Sequence, residues 1–213
     1  MTIHERLLLV NQPVRYAVVV ATITRDAEAT RARLLKAATD EFAAHGIAGA
    51  RVDRIANAAG VNKQLIYAYF GSKDGLFDAA LTQSCTALMD SVPFDPDDIP
   101  GYVRRLFDYA VAHPDVYRLV TWAGLERPNA VAEFEAESYG AKLAAITDAQ
   151  REGRLDASLA PADLLALVIG LAGSWFSASE AVRRFDSKDP WSPNRLAQFR
   201  DAAVEAARRI VGP

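Results

Sequence analysis

The sequence predicts an all-α chain, on three observations. Ala, Leu, Arg and Glu, which lose little freedom on entering a helix, are abundant. Apolar residues recur at the three- and four-residue spacing of one buried helical face, and no alternating run of strand length competes. Gly and Pro fall at the ends of these periodic segments, where the first can close a helix and the second can open one. The order is an N-terminal extension over residues 1–25, expected to be poorly ordered, a three-helix domain over 26–81 and a longer helical bundle over 82–213.

Periodicity begins at Ala27, with Leu34, Leu35, Ala38, Phe42 and Ala43 on one face, and Gly46 follows where a left-handed cap would end the helix. Val52, Ile55, Ala56 and Ala59 make a second short segment, stopped by Gly60. A third spans residues 61–70 up to Gly71, and Ser72 is placed to cap a fourth that carries Leu76, Phe77, Ala80 and Leu81. Residues 91–101, rich in Pro and Asp, break the pattern and read as a hinge or linker. Further helices are expected near 101–112, 114–125, 129–152, 161–184 and 194–211, with Pro114, Pro128, Pro161 and Pro193 near their starts.

Composition narrows the class. The chain has 213 residues, 51% hydrophobic and 24% charged, enough apolar content for a real core. No apolar run reaches the roughly 18 residues of a membrane span, and residues 7–10 and 17–23 are divided by Asn11, Gln12, Pro13 and Arg15. The single Cys85 suits a reducing cytoplasm, where the chain is expected to act. With three dispersed His and no paired Cys, neither a metal nor a cofactor is expected. Nucleophile elbow, phosphate loop and acid–base constellation are not found, so no catalytic residue is assigned. Asp95, Asp97 and Asp98 lack the glycine-containing spacing of a calcium loop and read as a solvated linker. The net charge of −3 leaves DNA binding open, since only the face turned to phosphates must be basic.

Residues 51–70 carry the motif. Two short helices meet at Gly60, and Ala56 and Ala59 are small enough for a steep crossing over Ile55, Val61 and Ile66. Asn62 can cap the second helix, whose exposed start gathers Lys63, Gln64 and Tyr67. Lys63 can donate to guanine, Gln64 can pair both ways with adenine, and Tyr67 lies one turn on along the same face. Leu65 either packs inside or touches a thymine methyl. Tyr69 and Lys73 can hold phosphates, which position a helix without reading sequence. Arg51, Arg54, Lys63 and Lys73 face only Asp53 here. Ordinary bundles also contain such helix corners, so spacing alone leaves open an enzyme or a protein-only adaptor without DNA binding.

Residues 30–81 resemble the N-terminal domain of the TetR family of transcriptional regulators. The resemblance rests on Ala37-Ala38, Phe42-Ala43-Ala44-His45-Gly46, Ile55-Ala56, Ala59-Gly60-Val61, Ile66-Tyr67-Ala68-Tyr69-Phe70 and Ser72-Lys73-Asp74-Gly75-Leu76-Phe77. It implies a helix-turn-helix DNA-binding domain joined to a ligand-binding and dimerisation bundle. It also implies a homodimer that represses a promoter and leaves double-stranded DNA on binding a small-molecule effector. By position it puts Lys63, Gln64, Leu65, Tyr67 and Ala68 against bases, and Tyr69 and Lys73 on phosphates. The sequence departs from the family at Ala50-Arg51, where a hydroxyl residue commonly opens the first motif helix; Arg51 would replace its phosphate contact by charge. Ala68 is smaller than usual and trims the contact surface.

The second half resembles the family in layout only. Phe107, Tyr117, Trp122, Phe134, Tyr139, Trp175 and Phe176 are candidate walls of a pocket between the domains, and the effector is expected to be largely apolar. Leu164, Leu167, Val168 and Leu171, with Phe199, Ala203 and Ile210 of the last helix, are candidates for a dimeric four-helix interface. Arg183-Arg184 and Arg208-Arg209 read as solvated charge.

Overall fold

The helical period persists along the chain: a computed structural model shows no strand among the described residues. Backbone is described for residues 12–127, 133–185 and 188–212, and side chains for 26–127, 136–185 and 188–212. The helices are α1 (Gln12–Gly49), α2 (Val52–Ala59), α3 (Lys63–Phe70), α4 (Lys73–Ser91), α5 (Ile99–Ala112), α6 (Pro114–Glu126), α7 (Glu133–Arg151), α8 (Pro161–Ser177), α9 (Glu180–Arg184) and α10 (Pro193–Ile210). They form two units, Met1–Leu81 and Thr82–Pro213. Where an extension is expected over residues 1–25, the backbone is already helical from Gln12, and residues 1–11 lie outside the described residues.

In the second unit, α5 packs against α8 and α10, and α7 against α8. Ile99, Val103, Ile146, Ala149, Leu164, Val168, Ala203 and Ala207 fill the space between them. Burial of this kind is the main term favouring the bundle. The connection expected as a solvated hinge is docked instead. Val92 is buried, and Phe94 meets Tyr102 edge-on at 5.0 Å. Asp95 accepts the Asp97 amide at 2.9 Å in a short 3₁₀ turn (Pro96–Asp98), and Asp98 caps α5 by accepting the Gly101 amide at 2.9 Å. Asp97 and Asp98 also pair with Arg154 and Arg105. These carboxylates therefore cap and tether; they are not a loose charge cluster.

The stretch expected as one helix over 161–184 is two. Ala178 is extended, at φ −60° and ψ 148°, and Ser179 restarts the chain by accepting the Val182 amide at 3.3 Å. The break leaves the last carbonyls of α8 without helical partners. Arg183, whose side chain is 14% exposed, supplies them: its guanidinium donates to Trp175 O at 3.2 Å, Phe176 O at 3.3 Å and Ala178 O. Charge at this negative helix end adds to the bonds. Arg183 is thus a helix cap rather than solvated charge, whereas Arg184, Arg208 and Arg209 are exposed as expected.

The first unit closes over Leu34, Leu35, Ala38, Phe42, Ile55, Ile66, Leu76 and Phe77, all fully or almost fully buried. Phe42 meets Phe77 edge-to-face, with centroids 5.1 Å apart. α1 is kinked near its end at Gly46, at φ 67° and ψ −179°, rather than closed there by a plain left-handed cap; that backbone region is essentially reserved to glycine. A Cβ on Gly75 would collide with the Phe70 carbonyl oxygen, which explains why glycine stands in the first turn of α4. The start of α2 has no side-chain cap of its own. Glu41, on α1 and only 10% exposed, takes that part: its Oε1 accepts the Arg51 amide at 2.8 Å and pairs with the Arg54 guanidinium at 2.6 Å. Burial alone would raise the Glu41 pKa; hydrogen bonds from Arg54 and the Arg51 amide, with the charge of Arg54, hold it below the ordinary carboxylate range. A lowered folded pKa means stability that is present at neutral pH and lost as acid protonates the folded carboxylate. Glu41→Ala is therefore expected to lower the stability of the protein by about 1–3 kcal/mol at pH 7. The difference from the parent chain should shrink as pH falls below about 4, as read by urea unfolding across that range.

Candidate nucleic-acid interface and effector cavity

The turn between α2 and α3 sits at Gly60, in the left-handed region at φ 67° and ψ 38°. Its amide closes α2, while Asn62 opens α3 by accepting the Gln64 amide at 3.0 Å. Ile66 is fully buried, which fixes the roll of α3. Helical geometry then turns Lys63, Gln64, Tyr67 and Ala68 to one side, and all four are exposed, Tyr67 at 44%. Leu65 is half-buried beside this face. The result is a short, rigidly seated helix with a donor-rich open side.

Three of the four cations around it are engaged, Arg54 by Glu41. Lys63 Nζ pairs with Asp53 Oδ1 at 2.8 Å, bridging α3 to α2, and that hydrogen bond pushes its pKa up. Lys73 donates to Ala50 O at 2.9 Å and Ala48 O at 3.3 Å, so its ammonium closes the carbonyl end of the α1–α2 turn. Tyr69, 36% exposed, donates to Ala27 O at 3.4 Å. Arg51 is exposed, and its amide, not its side chain, is the group bound to Glu41. Lys73 thus has a structural task that its spacing does not reveal. Glu41 was missed as well, because it lies ten residues before the amide that it caps.

In the second unit a cavity of about 180 Å³ is lined by residues of α4 to α8. Leu88, Met89, Val92, Tyr102, Leu106, Tyr109 and Tyr117 are among its walls, as are Ser138, Tyr139, Lys142, Ile169, Ala172 and Gly173. Every lining residue belongs to the second unit. Of the aromatic residues expected at a pocket, Tyr117 and Tyr139 line this one. Tyr117 is fixed by donating to Gly173 O at 3.1 Å. Phe107, Trp175 and Phe176 do not line it. Phe107 stacks on Phe176 at 5.6 Å and Phe199 at 5.8 Å, and Trp175 on Phe199 at 4.7 Å, so they join α5, α8 and α10 as core. Trp122 is half-buried away from the lining, and the Phe134 side chain lies outside the described residues. A signal for Tyr102 and Tyr109 existed: with Leu106 they form a stripe at i, i+4 and i+7.

The expected dimer residues divide. Leu164, Val168 and Ala203 are buried in this chain's own core and present no free surface. Leu171, Phe199 and Ile210 are half-buried, while Leu167 is 46% exposed. The period of α8 puts Leu167 in line with Gly170, Leu171 and Ser174, and a Cβ on Gly170 would meet open space.

Known proteins match both units. Residues 34–80 match the model of bacterial regulatory proteins, tetR family, and residues 98–209 that of the tetracyclin repressor-like C-terminal domain. The HTH-type transcriptional repressor SCO4008 of Streptomyces coelicolor is 45% identical over 192 residues, 88% of this chain and 97% of that protein. The HTH-type transcriptional repressor NicS of Pseudomonas putida is 30% identical over 110 residues, 48% of this chain and 52% of NicS. A crystal structure of SCO4942 from Streptomyces coelicolor, described as a transcriptional regulator, superposes with a TM-score of 0.75 at 42% identity, covering 84% of this chain and 97% of that one. The chain therefore belongs to the TetR family of DNA-binding transcriptional regulators, proteins that control transcription rather than catalyse a reaction.

Proposed function

We propose that the protein is a cytoplasmic, homodimeric repressor that leaves its operator when a small, largely apolar molecule enters the second unit. Residues 26–81 act as the DNA-binding domain and 82–213 as the ligand-binding and dimerisation domain. The observation that carries the DNA half is the exposed face of α3, seated by Ile66 and capped by Asn62. Lys63, Gln64, Tyr67 and Ala68 meet base edges in the major groove, with Leu65 at the margin against a thymine methyl. Arg51 and Tyr69 meet phosphates; Lys73 joins them only by releasing the carbonyls of Ala48 and Ala50. Lys63 must likewise exchange Asp53 for a base, an exposed pair that water and salt already weaken. The apolar walls of the cavity support the effector half of the reading. The exposed line through Leu167 and Gly170 supports a two-fold contact in which partner helices approach closely.

Two recognition helices related by a two-fold axis would read half-sites about one DNA turn apart. Footprinting on the DNA upstream of the coding region should reveal a near-palindrome, and no protection at low salt would overturn the reading. On that site, Lys63→Ala is expected to weaken binding roughly ten- to a hundredfold and to affect random DNA far less. Equal loss on both would remove Lys63 from base reading. Affinity should also fall steeply as salt rises, because phosphate contacts release counterions. Leu167→Arg should leave a folded chain, since this side chain is already half in solvent, yet give a monomer by light scattering with little operator affinity.

A further inference from the structure

Resting on the effector reading, we propose that the cavity of the second unit takes a compact aromatic carboxylate. Its ring lies among the tyrosine and aliphatic walls, and its carboxylate meets Lys142 and the Tyr102 hydroxyl.

The size comes first. A cavity near 150 Å³ accepts benzene, so the roughly 180 Å³ here suits one ring with a short polar substituent. Leu88, Val92, Leu106 and Ile169 offer no polar partner, whereas the rings of Tyr109 and Tyr117 suit a flat body.

The polar groups decide the chemistry. Lys142 is half-buried on the cavity wall; its Nζ donates to Ser138 Oγ at 2.6 Å and lies 5.5 Å from the centre of the Tyr139 ring. Among the described residues no carboxylate pairs with it, and burial lowers its pKa. An ammonium has three donors, so at least one remains beyond Ser138. Tyr102 is only 4% exposed, lines the same cavity, and its hydroxyl has no hydrogen-bond partner among the described residues. Burial pushes its pKa up to about 12, so it stays a neutral donor. A half-buried cation and an unpartnered hydroxyl both ask for an acceptor. A neutral carbonyl would satisfy the hydrogen bonds but leave the charge uncompensated; a carboxylate satisfies both. A cationic ligand would add like charge to Lys142 and is disfavoured.

The direct probe is phenylacetate against its neutral isostere phenylacetamide, titrated calorimetrically into the full-length protein. The acid is expected to bind about ten- to a hundredfold more tightly, the range of a charge-assisted bond. Lys142→Met should abolish that preference, Lys142→Arg should retain most of it, and Tyr102→Phe should weaken the acid severalfold. Equal binding of acid and amide, no binding of either, or a preference that survives Lys142→Met would overturn the assignment. Operator release scored with neutral apolar compounds tests the effector reading separately: release without any advantage for acids leaves that reading standing and removes the carboxylate.

Discussion

One carboxylate organises the DNA-facing unit. Glu41 sits nearly out of solvent on α1, yet it holds the first amide of α2 and the guanidinium of Arg54 at once. Removing the carboxylate would take the acceptor from the amide at a helix start and leave Arg54 with only the Gly49 carbonyl, two penalties at one point. Because α3 follows α2 through the left-handed turn at Gly60, the direction of its exposed face depends on what Glu41 fixes as well as on the burial of Ile66. A local hydroxyl cap would satisfy the amide alone. The long-range carboxylate also ties the motif to the body of its unit.

The electrostatics of that unit differ from a count of charges. Of four cations in the motif region, Arg54 pairs with Glu41, Lys63 with Asp53, and Lys73 with two carbonyls. Three of the four are thus already engaged in the free protein while Arg51 stays exposed, and the proposed DNA contacts of Lys63 and Lys73 would be an exchange of partners. On the proposed contacts, such an exchange would temper attraction to arbitrary phosphate while leaving the exposed face of α3 available to a duplex that offers a better acceptor. Asp53, exposed and paired with Lys63, is the acceptor that such an exchange would displace.

The second unit assigns its aromatic residues to two tasks. Phe107, Trp175, Phe176 and Phe199 tie three helices together, and the tyrosines of α5 and α6 open onto a cavity. The division follows chemistry: phenyl and indole bodies are best used where contact is complete, whereas a phenol can keep its hydroxyl in a partly polar space. Ending α8 at Ala178 serves the same arrangement, since Arg183 folds back over its carbonyls and lies 5.3 Å above the Trp191 ring.

The sequence by itself determined the helical class, the short helices meeting at Gly60 and the cap at Asn62. These depend on periodicity and on residues whose backbone preferences act within a few positions. It also put Lys63, Gln64 and Tyr67 on one face, because that follows from helical spacing alone. Only the tertiary structure decided which groups meet across the chain. Glu41 reaches a helix start ten residues away, Lys73 bonds to carbonyls 23 and 25 residues back, and Arg183 caps the helix before its own. It also decided that Leu164, Val168 and Ala203 are interior while Leu167 is not, and that Lys142 lines a cavity. Sequence spacing reveals which residues share a face; it does not reveal what that face meets, because the opposing surface is supplied by distant parts of the chain.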